Sequence, residues 1–292
     1  MRPPIDSGTV LITGAASGVG REVARQLARR ARTLVLVARS SDRLEALREE
    51  LTEQHPTLGV IVEQCDLAQP EDVDTLIDSL RRNLVRVDVL VNNAETGDYG
   101  LYEQESWSRI HQMVQANMTA PLLLTHRLMR RMVEHKRGGI LNIGACGGRS
   151  FVPGLAVYAA TQRFLDGFTE SLRLELLGTG VVVTQVSPGP VDTGAEDPPE
   201  GPLAAWLRIS AAQCASEAIA GFERSEPLVH PGWAHRWMTR LAALVPRRAR
   251  RAVWLPAARR LRYGTSLLEP AHPAPAPGLL LAGGPGDVRD EV

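Results

Sequence analysis

Short runs of Val, Ile and Leu alternate along the chain with longer stretches whose apolar residues recur at helical spacing. The runs are "TVLIT" at 9–13, "TLVLVA" at 33–38, "GVIVEQ" at 59–64, "VDVLVN" at 87–92, "GILNIG" at 139–144 and "VVVTQV" at 181–186. Between them, helical patterns cover 18–31, 42–54, 70–82, 106–134 and 157–178. Near-continuous apolar runs suit strands buried on both faces, and strand–helix alternation requires crossover connections. The pattern therefore predicts a doubly wound α/β domain, a parallel sheet with helices on both faces.

Beyond residue 190 the texture changes. "PGPVDTGAEDPPEGP" opens a Pro/Gly/acid-rich loop, followed by helical patterns at 201–223, a short strand candidate "PLVH" at 227–230 and an arginine-rich amphipathic stretch at 233–262. We read 1–232 as one domain that includes the region 191–223, and 233–263 as a basic helical extension. The Pro/Ala/Gly-rich end, 264–292, is expected to be disordered.

Composition adds little to this. Of 292 residues, 44% are hydrophobic and 23% charged, with 33 basic and 33 acidic side chains, so no overall field points to nucleic acid or membrane. Cys65, Cys146 and Cys214 are odd in number and widely spaced, which indicates neither a disulfide framework nor a zinc site. His230 and His235 lack the i, i+4 spacing of paired ligands, and no metal is expected. The N-terminus shows no long apolar segment, and no run reaches the length of a membrane span, so a cytoplasmic protein is expected. Lys136 is the sole lysine; every other side-chain cation of the Lys/Arg type is arginine.

The first strand runs directly into "TGAASGVG" at 13–20 and then into a helix. Gly14 permits a tight turn, Gly18 and Gly20 permit close approach, and the free amides of the helix N-terminus suit a pyrophosphate. At the end of the second strand, where an NAD site wants an acid, the sequence has Ala38 and then Arg39, which favours the 2′-phosphate of NADP(H) over NAD(H). Asp66, closing the third strand, is expected at the adenine edge.

With "TGAASGVG", "NNA" at 92–94, "YAATQ" at 158–162 and "SPGPVDT" at 187–193 in this order and spacing, the chain resembles the short-chain dehydrogenase/reductase family over residues 8 to about 230. The resemblance implies a Rossmann-type sheet of about seven strands over 1–232, a substrate-loop region at 191–223 and a nicotinamide cofactor across the sheet's C-terminal edge. It also implies a homodimer or homotetramer packed through helices 106–134 and 157–178. It places Ser17 and Val19 in the phosphate turn, Leu67 beside Asp66, and Asn93, Ala94, Pro188, Gly189, Val191 and Thr193 around the cofactor.

Of the four active-site residues the family implies, the asparagine falls on Asn117 and the tyrosine on Tyr158. The serine position holds Ala145, thirteen residues before the tyrosine, and the lysine position holds Gln162. Glu95 stands where the family has glycine after "NNA". In the family the lysine lowers the tyrosine pKa, and a free phenol titrates near ~10, so Tyr158 is expected to be a poor base. Carbonyl reduction uses the neutral phenol as an acid and tolerates the change better, although a lost oxyanion donor costs roughly 10²–10³ in rate.

Gln162 is expected to offer an amide N–H to the nicotinamide ribose. Glu95 either crowds the cofactor, provides a general base, or turns outward to solvent. Cys146 is read as a small buried residue at a strand end. Three functions remain open at this point: reduction of a hydrophobic carbonyl compound with Tyr158 as proton donor, a non-redox cyclase, dehydratase or isomerase reusing the pocket, and a non-catalytic binding protein. No nucleic-acid partner is expected. The stretch 233–262 is read as covering the substrate cleft, with peripheral membrane contact as the alternative.

Overall fold

The computed structural model describes residues 2–146, 152–194 and 206–263. Seven strands form one sheet in the order β3-β2-β1-β4-β5-β6-β9, every neighbouring pair parallel. They are β1 Thr9–Thr13, β2 Thr33–Ala38, β3 Gly59–Gln64, β4 Val89–Asn92, β5 Gly138–Ile143, β6 Val181–Val186 and β9 Leu228–Val229. A separate parallel pair joins β7 Val191–Asp192 to β8 Ile209–Ser210.

The helices on the first face are α1 Gly18–Leu27, α2 Ser41–Gln54 and α7 Ala211–Glu223; those on the second are α3 Pro70–Arg82, α5 Ala120–Glu134 and α6 Ala156–Glu175. The period of two in β1 explains the split. Val10 and Ile12 pack with Val23, Leu27 and Phe222, whereas Leu11 packs with Leu76, Leu90 and Leu124 on the opposite side. Both faces of the central strands are dry, which is why their sequences are mostly apolar, whereas the edge strand β3 is only partly buried.

Local signals set several boundaries. Pro70 begins α3 with Glu71 and Asp72 in its first turn and Arg81 and Arg82 in its last, an arrangement that complements the helix dipole. Ser210 caps α7, its Oγ accepting the Gln213 N–H at 3.1 Å.

The structure departs from the sequence reading in three places. The helix expected over 106–134 comprises α4 Trp107–Val114, a π-helical segment Gln115–Thr119 and α5, continuous in path but widened in the middle. Within the helical pattern expected at 201–223, Ile209–Ser210 is instead β8, because its extended backbone pairs with β7; 195–205 lie outside the described residues. The following α7 packs on α1 as part of the core rather than belonging to a substrate loop. The basic stretch at 233–262 is two helices, α8 Trp233–Leu244 and α9 Arg247–Tyr263, separated at Val245–Pro246 where proline cannot continue the first. The tail expected to be disordered, 264–292, lies outside the described residues.

Among the described residues no helix is long and apolar enough to cross a membrane. None of their His, Cys, Asp and Glu side chains gather in groups of three or more that could hold a metal ion.

Candidate active site

Sheet order reverses between β1 and β4, and the crevice beyond the C-terminal ends of those strands is where open α/β sheets bind ligands. Hydrogen bonds fasten its floor. Thr13 Oγ1 accepts the backbone N–H groups of Asn93 at 2.9 Å and Ala94 at 3.1 Å, and Asn93 Nδ2 donates to the Thr13 carbonyl at 3.1 Å.

The glycine turn lies directly above. Gly14 has φ +68°, and a Cβ there would stand 2.8 Å from Asn93 Nδ2 and 3.0 Å from Ala94 Cα. Gly20 is needed for packing rather than for the ligand, since its Cβ would meet the Gly14 carbonyl at 2.4 Å.

A cleft of about 900 Å³ opens from this turn. Gly14, Ser17, Gly18 and Val19 line one end, with Arg39, Asp66 and Leu67 nearby; Asn93, Ala94, Pro188, Gly189, Val191 and Thr193 line the remainder. These are the positions expected to hold a dinucleotide, and Gly20 is the one such position that does not border the cleft. Ser40 and Arg43 also line it beside Arg39, and the sequence reading missed both. Their signal was position: Arg43 stands in the first turn of α2, immediately after the strand end that carries Arg39. A glycine-lined end at a helix N-terminus fits the pyrophosphate of a dinucleotide, and Arg39 and Arg43 border the same cleft.

At the other end of the cleft, three side chains meet. Tyr158 Oη donates to Glu95 Oε2 at 3.0 Å, and Gln162 Nε2 donates to the same oxygen at 2.9 Å. Gln162 Oε1 accepts the backbone N–H of Ala145 at 2.9 Å. Tyr158 and Gln162 share a face because they are one turn apart on α6.

The amide of Gln162 is therefore engaged with Glu95 and Ala145. Its side chain is buried behind the carboxylate, not presented to a ribose as expected. Glu95 is not turned outward either; it faces the tyrosine.

The loop carrying Glu95 is held by Asn117, which sits in the π-helical segment. Asn117 Oδ1 accepts the Thr96 N–H at 2.8 Å, its Nδ2 donates to the Thr96 carbonyl at 2.8 Å, and Nδ2 also reaches Thr161 Oγ1 at 3.1 Å. Asn117 is buried and does not border the large cleft, so it acts on the site through Thr96.

The electrostatics follow from depth and from the absence of lysine at position 162. Glu95 is exposed as a residue and borders the open cleft, while its carboxylate end is turned in against Tyr158 and Gln162. Burial pushes its pKa from 4.5 up to about 7, only partly offset by the hydrogen bonds from Tyr158 and Gln162. Burial first, and the Glu95 charge second, hold Tyr158 well above the usual phenol range. Cys146 borders the cleft instead of being fully buried, and burial pushes its thiol up to about 11. The group of this cluster that changes charge near neutrality is the glutamate, not the tyrosine.

His230 and His235 pack edge to face, ring centroids 5.6 Å apart, and each has a ring nitrogen 3.2 Å from the Ser187 carbonyl. Burial lowers His235 to about 4, so it stays neutral beneath the 187–190 segment.

A model of the short chain dehydrogenase family matches residues 8–200. Sulfoacetaldehyde reductase of Chromohalobacter salexigens is 37% identical over 186 residues, covering 63% of this chain and 72% of that one. Among solved structures, the bulky-bulky ketone specific alcohol dehydrogenase of Comamonas testosteroni superposes with a TM-score of 0.70 at 31% identity, covering 91% of this chain and 97% of the other. A short-chain dehydrogenase from Sphingobium yanoikuyae, in complex with NADPH, superposes with a TM-score of 0.71 at 30% identity, covering 91% and 98%.

Proposed function

This chain belongs to the short-chain dehydrogenase family, and from that footing we propose that it is an NADP(H)-dependent reductase of a carbonyl on a hydrophobic small molecule, with Tyr158 as the proton donor. The observation that carries the proposal is a single cleft bordered at once by the glycine turn, by Arg39 and Arg43, and by Tyr158. Arg39 and Arg43, flanking Ser40, suit the 2′-phosphate, and the glycine turn suits the pyrophosphate. The NADPH complex of the Sphingobium protein supports the same choice of cofactor. A reduced nicotinamide bound in this cleft supplies the hydride.

The chain's own residues manage the proton. Tyr158 gives its hydroxyl proton to the substrate oxygen as negative charge develops there, and draws a replacement from the Glu95 carboxyl. Glu95 then recovers a proton from solvent through the open cleft. A group with a pKa near the working pH suits this exchange, because it holds a proton often and yields it readily. Gln162 positions the carboxylate. Ala145 brings no hydroxyl, which leaves Tyr158 as the donor to the substrate oxygen at that point.

Ile143, Val152 and Leu155 also border the cleft and favour an apolar substrate. The ketone-specific Comamonas enzyme supports a carbonyl substrate. Exposed Leu122 on α5 and Leu174 on α6 support a homo-oligomer packed through those helices.

One observation favours a second reading. The Glu95 carboxylate is bonded to a phenol and an amide rather than to a cation, which suits proton abstraction without hydride transfer, as in an isomerase or dehydratase. Following NADPH absorbance across a panel of apolar ketones and aldehydes separates the two. The reductase reading expects NADPH consumption that disappears in Tyr158→Phe, while NADPH binding persists. NADPH that binds but is never consumed would overturn it in favour of the non-redox reading.

A further inference from the structure

α8 turns its apolar stripe toward solvent. Trp233, Trp237, Leu241 and Leu244 follow one another at i, i+4, i+8 and i+11, within about 80° of the helix circumference. They are 67%, 58%, 61% and 80% exposed. The opposite side carries His235, which is buried against Gly189 and the Ser187 carbonyl. A helix that only covered a cleft would place these residues the other way round. Trp206 extends the patch, 60% exposed and edge-to-face with Trp233 at 5.8 Å, and Arg240 lies over the Trp237 ring at 5.7 Å.

Charge identifies what covers this patch. Residues 233–263 contain nine arginines and no aspartate or glutamate, in a chain of formal net charge zero. A two-fold contact between copies would set this arginine-rich segment against itself. An anionic bilayer instead takes tryptophan and leucine into the headgroup–acyl boundary while exposed arginines such as Arg240, beside the stripe, reach lipid phosphates; Arg236 and Arg262 are already paired with Glu217 and Glu103.

We propose that the outer face of α8, with Trp206 beside it, docks on the surface of an anionic lipid bilayer. The helix does not span it, and its opposite side rests on the wall of the cleft. α8 adjoins the cleft through His235 and Gly189, and α9 reaches its other side, where Leu261 packs at Gly154 and Arg262 pairs with Glu103 at 2.8 Å.

The test is co-sedimentation of the full chain with vesicles of phosphatidylcholine alone and of phosphatidylcholine mixed with phosphatidylglycerol. Binding is expected to the mixed vesicles, and to weaken as salt is raised. Trp233→Ser with Trp237→Ser should weaken it about tenfold or more, and so should Arg248→Glu with Arg259→Glu. Trp107→Ser, an exposed tryptophan elsewhere, should leave it unchanged. These side chains are exposed, and circular dichroism checks that each variant is folded. Equal binding to both vesicle types, or binding that ignores both double variants, would overturn the proposal. So would binding to polyglutamate without vesicle binding, or a drop in solution mass in the tryptophan variant without vesicle binding; these assign the face to an acidic protein or to a second copy. None of these readouts depends on reductase activity.

Discussion

Tyr158 Oη lies 3.0 Å from Glu95 Oε2, so the phenol donates to a carboxylate that shares its other hydrogen bond with Gln162. A lysine at 162 would act on the tyrosine by charge. Glutamine cannot, and the glutamate becomes the group whose proton matters near neutral pH.

Glu95→Gln should lower the rate of carbonyl reduction by roughly 10²-fold, the scale of a lost proton-transfer partner. In the unaltered protein the rate should fall as pH rises through about 7, where Glu95 loses its proton. The variant should show no such step. Rate–pH profiles of both proteins at saturating NADPH check this, and a step that persists in the variant would remove Glu95 from the relay.

The same residue leaves a mark on stability. Its folded pKa is raised from 4.5 to about 7, so between those values the folded chain binds more protons than the unfolded one. Its favourable contribution is therefore complete below the unfolded value and lost as pH rises through the folded one. Urea denaturation across this range should show Glu95→Gln gaining on the unaltered protein with increasing pH; a constant difference would contradict the burial argument.

Arg39→Ala combined with Arg43→Ala should raise the Kd for NADPH by roughly 10- to 100-fold, as expected from losing charge-assisted hydrogen bonds, and leave NADH nearly unaffected. Parallel titrations with the two dinucleotides distinguish this from general damage to the cleft, which would weaken both.

Gln162→Lys alone should reduce activity rather than restore it. An ammonium beside Glu95 would hold the carboxyl ionised and move the pH step downward, leaving Tyr158 without its proton source. Adding Glu95→Gly and Ala145→Ser releases the lysine to act on Tyr158, and the triple variant should exceed the single one in kcat. A single variant as active as the triple would show that Glu95 plays no part.

Periodicity revealed the strands because the central ones are buried on both faces, which leaves runs such as "TLVLVA" with few competing interpretations. It could not reveal the π-helical segment at Gln115–Thr119, where the side-chain pattern stays helical and the change lies in backbone hydrogen bonds. Nor could it reveal β8, since two residues form too short a run for any period to register. The missing serine and lysine were legible as identities at fixed spacing from Tyr158. The direction of Glu95 was not, because it depends on Asn117 gripping a loop 21 residues earlier in the chain. Arg43 escaped notice because an arginine in the first turn of a helix ordinarily signals only a solvated surface.

Asn117 grips Thr96 solely by its main-chain N–H and carbonyl, while the cleft borders residue 96 itself. Any amino acid with a backbone N–H satisfies that grip. The side chain at position 96 can therefore change, and with it the wall of the cleft, without loosening the grip that holds the loop beside Glu95.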